Sequence, residues 1–146
     1  MFYACTSLTG APILSATTLT QECYKQMFYN CWSLSTAPEL PATTLDNGCY
    51  NGMFYNCTSL TAAPELPATT FPAEYSGSYN EMFKGCSKLS SINVSISNWT
   101  TYSTANWVDG VQTTAGTFTC PTALGTNSSI TRGAQYCPNN WTVVNK

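Results

Sequence analysis

A Met-Phe pair recurs along this chain at Met1-Phe2, Met27-Phe28, Met53-Phe54 and Met82-Phe83, at spacings of 26, 26 and 29 residues. Three residues after each Phe stands a cysteine (Cys5, Cys31, Cys57, Cys86), and three further on a leucine (Leu8, Leu34, Leu60, Leu89). A Pro-x-Leu unit follows at Pro12-Ile13-Leu14, Pro38-Glu39-Leu40 and Pro64-Glu65-Leu66. Next come paired threonines at Thr17-Thr18, Thr43-Thr44 and Thr69-Thr70, then Cys23-Tyr24, Cys49-Tyr50 or, after three extra residues, Ser78-Tyr79. One such unit cannot bury its own apolar face, because ordering it costs roughly 1.5 kcal/mol per residue. Stacking the units places like residues above one another and makes one continuous core. The pattern therefore predicts a leucine-rich-repeat-like solenoid of about four coils, with short parallel strands and helical or 3₁₀ turns.

Within a coil the expected strand is Ser59 to Pro64, with the proline ending it because it cannot donate to a ladder. Cys49, Tyr50, Met53 and Phe54 follow helix-like offsets, which predicts one or two helical turns there, N-capped by Asp46 or Asn47. After Leu89 the motif decays. Ile92, Val94 and Ile96 alternate as a strand, and Asn106-Trp107-Val108 reads as a worn copy of the Met-Phe turn. Residues 1–97 are thus expected to form the repeat solenoid. Residues 98–146 are expected to form a degenerate last coil and an irregular β-rich C-terminal cap, since terminal repeats must close the core. The chain opens in the middle of a repeat, so it reads as the C-terminal piece of something longer.

Only 8% of the residues are charged and the net charge is −2, where soluble domains carry about 25% charged residues. The five cations, Lys25, Lys84, Lys88, Arg132 and Lys146, are scattered. Nucleic-acid binding needs clustered cations, so it is excluded. No apolar run reaches the roughly 18 residues of a membrane span, and no basic segment followed by an apolar one marks a signal peptide. The chain has no His and no C-x-x-C pair. That argues against zinc and leaves a cysteine nucleophile without its usual base. No cofactor and no enzymatic activity are expected.

Six of the eight cysteines fall into two repeat columns and read as small buried hydrophobes. Cys120 and Cys137 lie outside the columns and are the disulfide candidates. Glu39 and Glu65 occupy equivalent positions, so they should stack as neighbours on an exposed face. Tyr3, Tyr29 and Tyr55 form a column beside the core Phe, able to give large contact area at low entropy cost or to stack on sugar faces. A second column, Tyr24, Tyr50 and Tyr79, reads as core or half-buried.

The string Met53-Phe54-Tyr55-Asn56-Cys57-Thr58-Ser59-Leu60 resembles the AF-x-x-C-x-x-L core of BspA-type leucine-rich repeats. It is similar to a variant that recurs in surface and phage-encoded proteins of gut Bacteroidales, and the resemblance covers about residues 1–97. The segments Gly116-Thr117-Phe118 and Asn140-Trp141-Thr142-Val143 resemble the end of that variant. The resemblance implies an extracellular, cell-surface or virion protein. It would adhere to a host or bacterial surface protein or glycan without inserting in a membrane, displayed in several copies or within a larger chain. Tyr3, Tyr29, Tyr55, Glu39 and Glu65 are the candidate partner-binding residues. The alternative is a structural spacer or assembly module of a larger surface or phage tail-fibre protein, favoured by the near identity of the Glu39 and Glu65 segments.

Overall fold

The computed structural model describes residues 2–73, 76–112 and 114–146. Met1, the first member of the first Met-Phe pair, lies outside the described residues. Four short strands, β1 Ala62–Leu66, β2 Ser91–Val94, β3 Thr117–Cys120 and β4 Thr142–Asn145, form one open parallel sheet in the order β1-β2-β3-β4. Ala62 pairs with Ser91, Ser91 with Thr117, and Thr117 with Thr142. Strands 29, 26 and 25 residues apart are therefore neighbours, and the last two belong to the stretch 98–146. Ile92, Phe118 and Val143 stand side by side and face inward, as the period of two along a strand requires.

The strand expected at Ser59 to Pro64 is displaced: β1 starts at Ala62 and runs through Pro64. Proline is tolerated there because β1 is an edge of the sheet and its register slips between Ala62 and Glu65. Around Pro12 and Pro38, in the two preceding repeats, only isolated bridges form, at Gly10–Thr36 and Thr18–Thr44.

The helical turn expected over residues 49–54 is absent, and this side of the repeat is a run of tight turns. The N–H groups of Cys23, Lys25, Met27, Tyr29 and Cys31 donate three residues back, at 3.1–3.2 Å. The intervening N–H groups of Glu22, Tyr24, Gln26, Phe28 and Asn30 instead donate to the carbonyls of Asn47, Cys49, Asn51, Met53 and Tyr55 in the next repeat, at 2.8–3.0 Å. Glu22, Gln26 and Asn30 have positive φ, as do Gly48, Gly52 and Asn56 one repeat later. A left-handed residue every fourth position breaks a helix, and the donors a helix would use internally go to the neighbouring repeat instead. Asp46 and Asn47 accordingly open a turn and cap no helix. The Asp46 carboxylate accepts the Asn47 N–H at 2.7 Å, and its carbonyl accepts Cys49 N–H and Ser78 Oγ.

The turn run continues past the last Met-Phe pair. Phe83 N–H donates to the Trp107 carbonyl, just as Phe28 donates to Met53 and Phe54 to Met82. Asn106, with φ of 51°, precedes Trp107 as Glu81, at 52°, precedes Met82. Trp107-Val108 thus occupies the Met-Phe place.

Between sheet and turns lies the core. Phe2, Phe28, Phe54 and Phe83 stack at 5.6–5.7 Å with planes within 9°, each pair adding about 1 kcal/mol beyond its burial. Cys31, Cys57 and Cys86 donate their thiols to the carbonyls of Phe2, Phe28 and Phe54, at 2.9–3.2 Å. A small side chain with a weak donor suits that position, where it satisfies a carbonyl of the preceding repeat. A Cβ added at Gly85 would collide with Asn56 Oδ1, and one at Gly116 with the indole of Trp141. Among the described residues the single helical turn is Thr122–Leu124, and no helix is long and apolar enough to cross a membrane.

Candidate functional site

The turn run carries the tyrosine column on its outer side. Tyr3 and Tyr29 stack at 5.0 Å and 3°, Tyr29 and Tyr55 at 4.4 Å and 10°. Tyr3 is 51% exposed and the other two are half-buried. The rings cover one another, and the outer face of Tyr3 ends the ladder among the described residues. Loss of hydration, then the neighbouring Tyr55, raises the Tyr29 phenol above its ordinary value.

Lys84 holds the tyrosine place in the fourth repeat. Its Nζ lies 5.7 Å from the centre of the Tyr55 ring and 2.9 Å from Glu81 Oε1, with Asp109 at 4.0 Å. The hydrogen bond from Lys84 to Glu81 raises the lysine pKa. The ladder thus closes on a fixed cation over an aromatic face. Lys84 stands at the same offset from Met-Phe as the tyrosines, and that offset was the signal that could have placed it in the site.

The second tyrosine column divides by depth: Tyr24 is half-buried, Tyr50 and Tyr79 fully buried. Burial pushes the phenols of Tyr50 and Tyr79 well up, and neither hydroxyl has a hydrogen-bond partner.

Glu39 and Glu65 lie on the strand side, both exposed, and the structure brings them to one groove of about 530 Å³ walled by Pro38, Pro41, Pro64 and Pro67. An adjoining groove of about 540 Å³ shares Pro38, Glu39 and Pro41 and reaches Pro12 and Ile13. Ile13, at the glutamate position of its repeat, is 94% exposed. Glu65 accepts from Asn93 Nδ2 at 3.4 Å and pairs with Lys146 at 3.7 Å. Lys146 also donates to Asn93 Oδ1 at 2.8 Å and Ser95 Oγ at 3.1 Å. The tyrosines and the glutamates therefore sit on different elements of the repeat and make two surfaces.

Cys120 and Cys137, the disulfide candidates, are buried and stand as free thiols in this structure. Each sulfur has its own neighbours. Asn145 Nδ2 lies 3.9 Å from Cys120, while Cys137 faces the Pro138 carbonyl at 3.5 Å and Arg132 Nη1 at 3.6 Å. Arg132 is consumed in tying this segment together, donating to the carbonyls of Pro138, Trp141 and Asn127 and to Asn127 Oδ1. Burial pushes the Cys137 thiol up to about 11 and the Cys86 thiol up to about 12, the reverse of what a nucleophilic thiolate needs. Among the described residues no three Cys, Asp or Glu are placed to hold a metal.

A cleft of about 610 Å³ lies between Thr70-Phe71, at the end of the third repeat's paired threonines, and Asn98 to Thr101. Sequence reasoning missed it, because it joins the lengthened loop of the third repeat to the segment after β2. The three-residue insertion was the available signal, and residues 74 and 75 of that loop lie outside the described residues.

No family model, curated protein or solved structure matches this chain.

Proposed function

We propose that the chain is a leucine-rich-repeat-like solenoid, its last coil and cap formed by residues 98–146. We further propose that it acts outside the cell, or on a virion, as a non-enzymatic recognition and adhesion domain for a surface protein or glycan. The observation that carries this reading is the ladder of Tyr3, Tyr29 and Tyr55, closed by Lys84. Its rings hold one another in place, so a partner gains aromatic contact with little side-chain ordering left to do. The resemblance to BspA-like repeats points the same way. Weak contact at one ladder becomes useful when several copies are displayed together.

A second reading, a spacer or assembly module of a larger surface or tail-fibre protein, is favoured by the uniformity of the repeats. Pro38-Glu39-Leu40-Pro41-Ala42-Thr43-Thr44 and Pro64 to Thr70 have the same sequence.

The test is saturable binding of the labelled chain to intact Bacteroidales cells and to arrays of glycans and matrix proteins. A Tyr3/Tyr29/Tyr55→Ala variant runs beside it, its fold checked by circular dichroism. Binding that falls at least about tenfold in the folded variant supports the ladder; an alanine scan removes most energy at such anchors. Equal binding by the variant moves the site elsewhere. A folded chain that binds no surface sinks recognition in favour of the spacer.

A further inference from the structure

The strand side of the first three repeats carries a furrow that shares no residue with the tyrosine ladder. Its walls are the segments 11–17, 37–41 and 64–67, all of them described. Its two parts, of about 530 and 540 Å³, meet at Pro38, Glu39 and Pro41, so one groove crosses three coils. Pyrrolidine rings make most of the wall. Ile13, 94% exposed, continues it at one end. A single exposed isoleucine is ordinary, but this one extends an apolar wall. The charges on these segments are the two carboxylates, Glu39 and Glu65, both exposed.

The groove is open because its backbones do not pair. Between the bridges Gly10–Thr36 and Thr18–Thr44, no backbone hydrogen bond joins 11–17 to 37–43. Proline has no N–H to give, and the other amides and carbonyls there are left to solvent or to a ligand. The chain itself shows which charge this face takes. Lys146 Nζ lies 3.7 Å from Glu65 Oε1 and is held by Asn93 Oδ1 and Ser95 Oγ. Glu39 occupies the same position one repeat earlier, and among the described residues no cation pairs with it.

The geometry points to a binding site for an extended, basic segment of a protein partner, a surface beyond the one the recognition reading uses. Coils stack roughly 5 Å apart, which puts Ile13 about 7 Å from a point between the two carboxylates. Alternate side chains of an extended chain lie about 6.7 Å apart on one face. A segment of the pattern apolar-x-basic, laid across the coils, thus rests its aliphatic side chain on Ile13 and the prolines. Its ammonium or guanidinium sits between Glu39 and Glu65. A saccharide finds no aromatic face in these segments. Nucleic acid, an anionic glycan or an anionic membrane meets two like charges. A second copy of this chain has little to offer: Lys25, Lys84 and Lys146 are ion-paired, Arg132 is bound to backbone carbonyls, and Lys88 stands in a turn.

The experiment is a two-dimensional ¹H–¹⁵N NMR titration of the full chain with three probes, each to about 5 mM, the range that a short peptide demands. One is a synthetic peptide of four Leu-Thr-Arg units, one its counterpart with Glu for Arg, and one chitobiose. The Arg peptide should give saturable shifts at the Ile13, Glu39 and Glu65 amides, weakening as salt rises, and the Glu peptide none. Glu39→Gln should weaken binding about threefold, the share of one exposed ion pair. Ile13→Ser should weaken it about fivefold, as a partly covered aliphatic side chain would. Both positions are exposed, so the melting temperature should not move. No saturable shift with the Arg peptide overturns the proposal, as does an equal response to the Glu peptide or binding that both variants leave intact. Shifts at these amides with chitobiose overturn it in favour of a glycan. Shifts that grow with protein concentration alone and vanish in Glu39→Gln overturn it in favour of a second copy. Cell-surface binding that needs the tyrosines, with no peptide shift, overturns the groove and spares the ladder.

Discussion

The two halves of the chain are held together by different means. From Phe2 to about Leu66 the repeats join through side-chain ladders and the turn run, while the strand side offers two isolated bridges and the irregular β1. From Ser91 onward the strands pair in unbroken register, and the ladders of like residues give way to mixed large ones, Trp107, Phe118 and Trp141. Proline marks the boundary: Pro12, Pro38 and Pro64 stand in the strand segment of the first three repeats, whereas β2, β3 and β4 contain none. Identical repeats favour ladders, because each side chain meets its own kind one repeat away. Divergent repeats cannot build them and rely on backbone pairing, which is indifferent to the side chain.

The largest effect expected from breaking this division is at Trp141. Its ring is buried over Gly116, and its Nε1 donates to the Gln112 carbonyl at 2.8 Å. Trp141→Ala should cost about 3–5 kcal/mol. Hydrogen exchange should show β3 and β4 losing protection first, with the turn amides of residues 22–31 following only at global unfolding. Equal loss at both ends would mean that the two regions form one cooperative unit.

Much of this was legible in the sequence and some was not, for physical reasons. The Met, Phe, Cys and Leu columns were readable because stacking demands the same residue at the same offset. The tyrosine ladder followed from that logic. The turn run was hidden because Glu22, Gln26 and Glu81 adopt positive φ although their residue types carry no such signal. The helix-like offsets of Cys49, Tyr50, Met53 and Phe54 arise from turns that repeat every four residues. Beyond residue 97 the turn was still readable, Asn106-Trp107-Val108 as a worn Met-Phe copy, but β3 and β4 were not placed because backbone pairing leaves no motif. The Phe71–Trp99 cleft joins a repeat position to a segment in which the motif has decayed.

Alkaline pH tests the ladder end. Burial pushes the Cys49 thiol up to about 11 and Cys86 up to about 12, from an ordinary value of 9.0, and lifts Cys57 as well. The folded chain therefore holds these protons more tightly than the unfolded one. The resulting stability is complete below pH 9 and is lost as pH climbs through about 11 to 12. The urea midpoint should be flat from about pH 7 to 8.5 and fall steadily above about pH 9. Cys86→Ala should flatten that fall. An unchanged slope in the variant would exclude the thiol column as its source.

The smallest effect sharpens the role given to proline. Pro64→Val restores a backbone donor in β1, at a position whose side chain is buried. Valine suits a pleated, half-buried surface, and the change should lie within about 1 kcal/mol. If proline alone keeps the first repeats from pairing, the register of β1 against β2 should become continuous between Ala62 and Glu65. Hydrogen exchange would then show protection at the backbone amide that the substitution creates. If the ladders set the path of the strand segment, that amide should exchange as freely as a loop residue and the bulge should persist. The second result would place the cause in the side chains, and would make the paired strands of the other end a consequence of lost repetition rather than of lost proline.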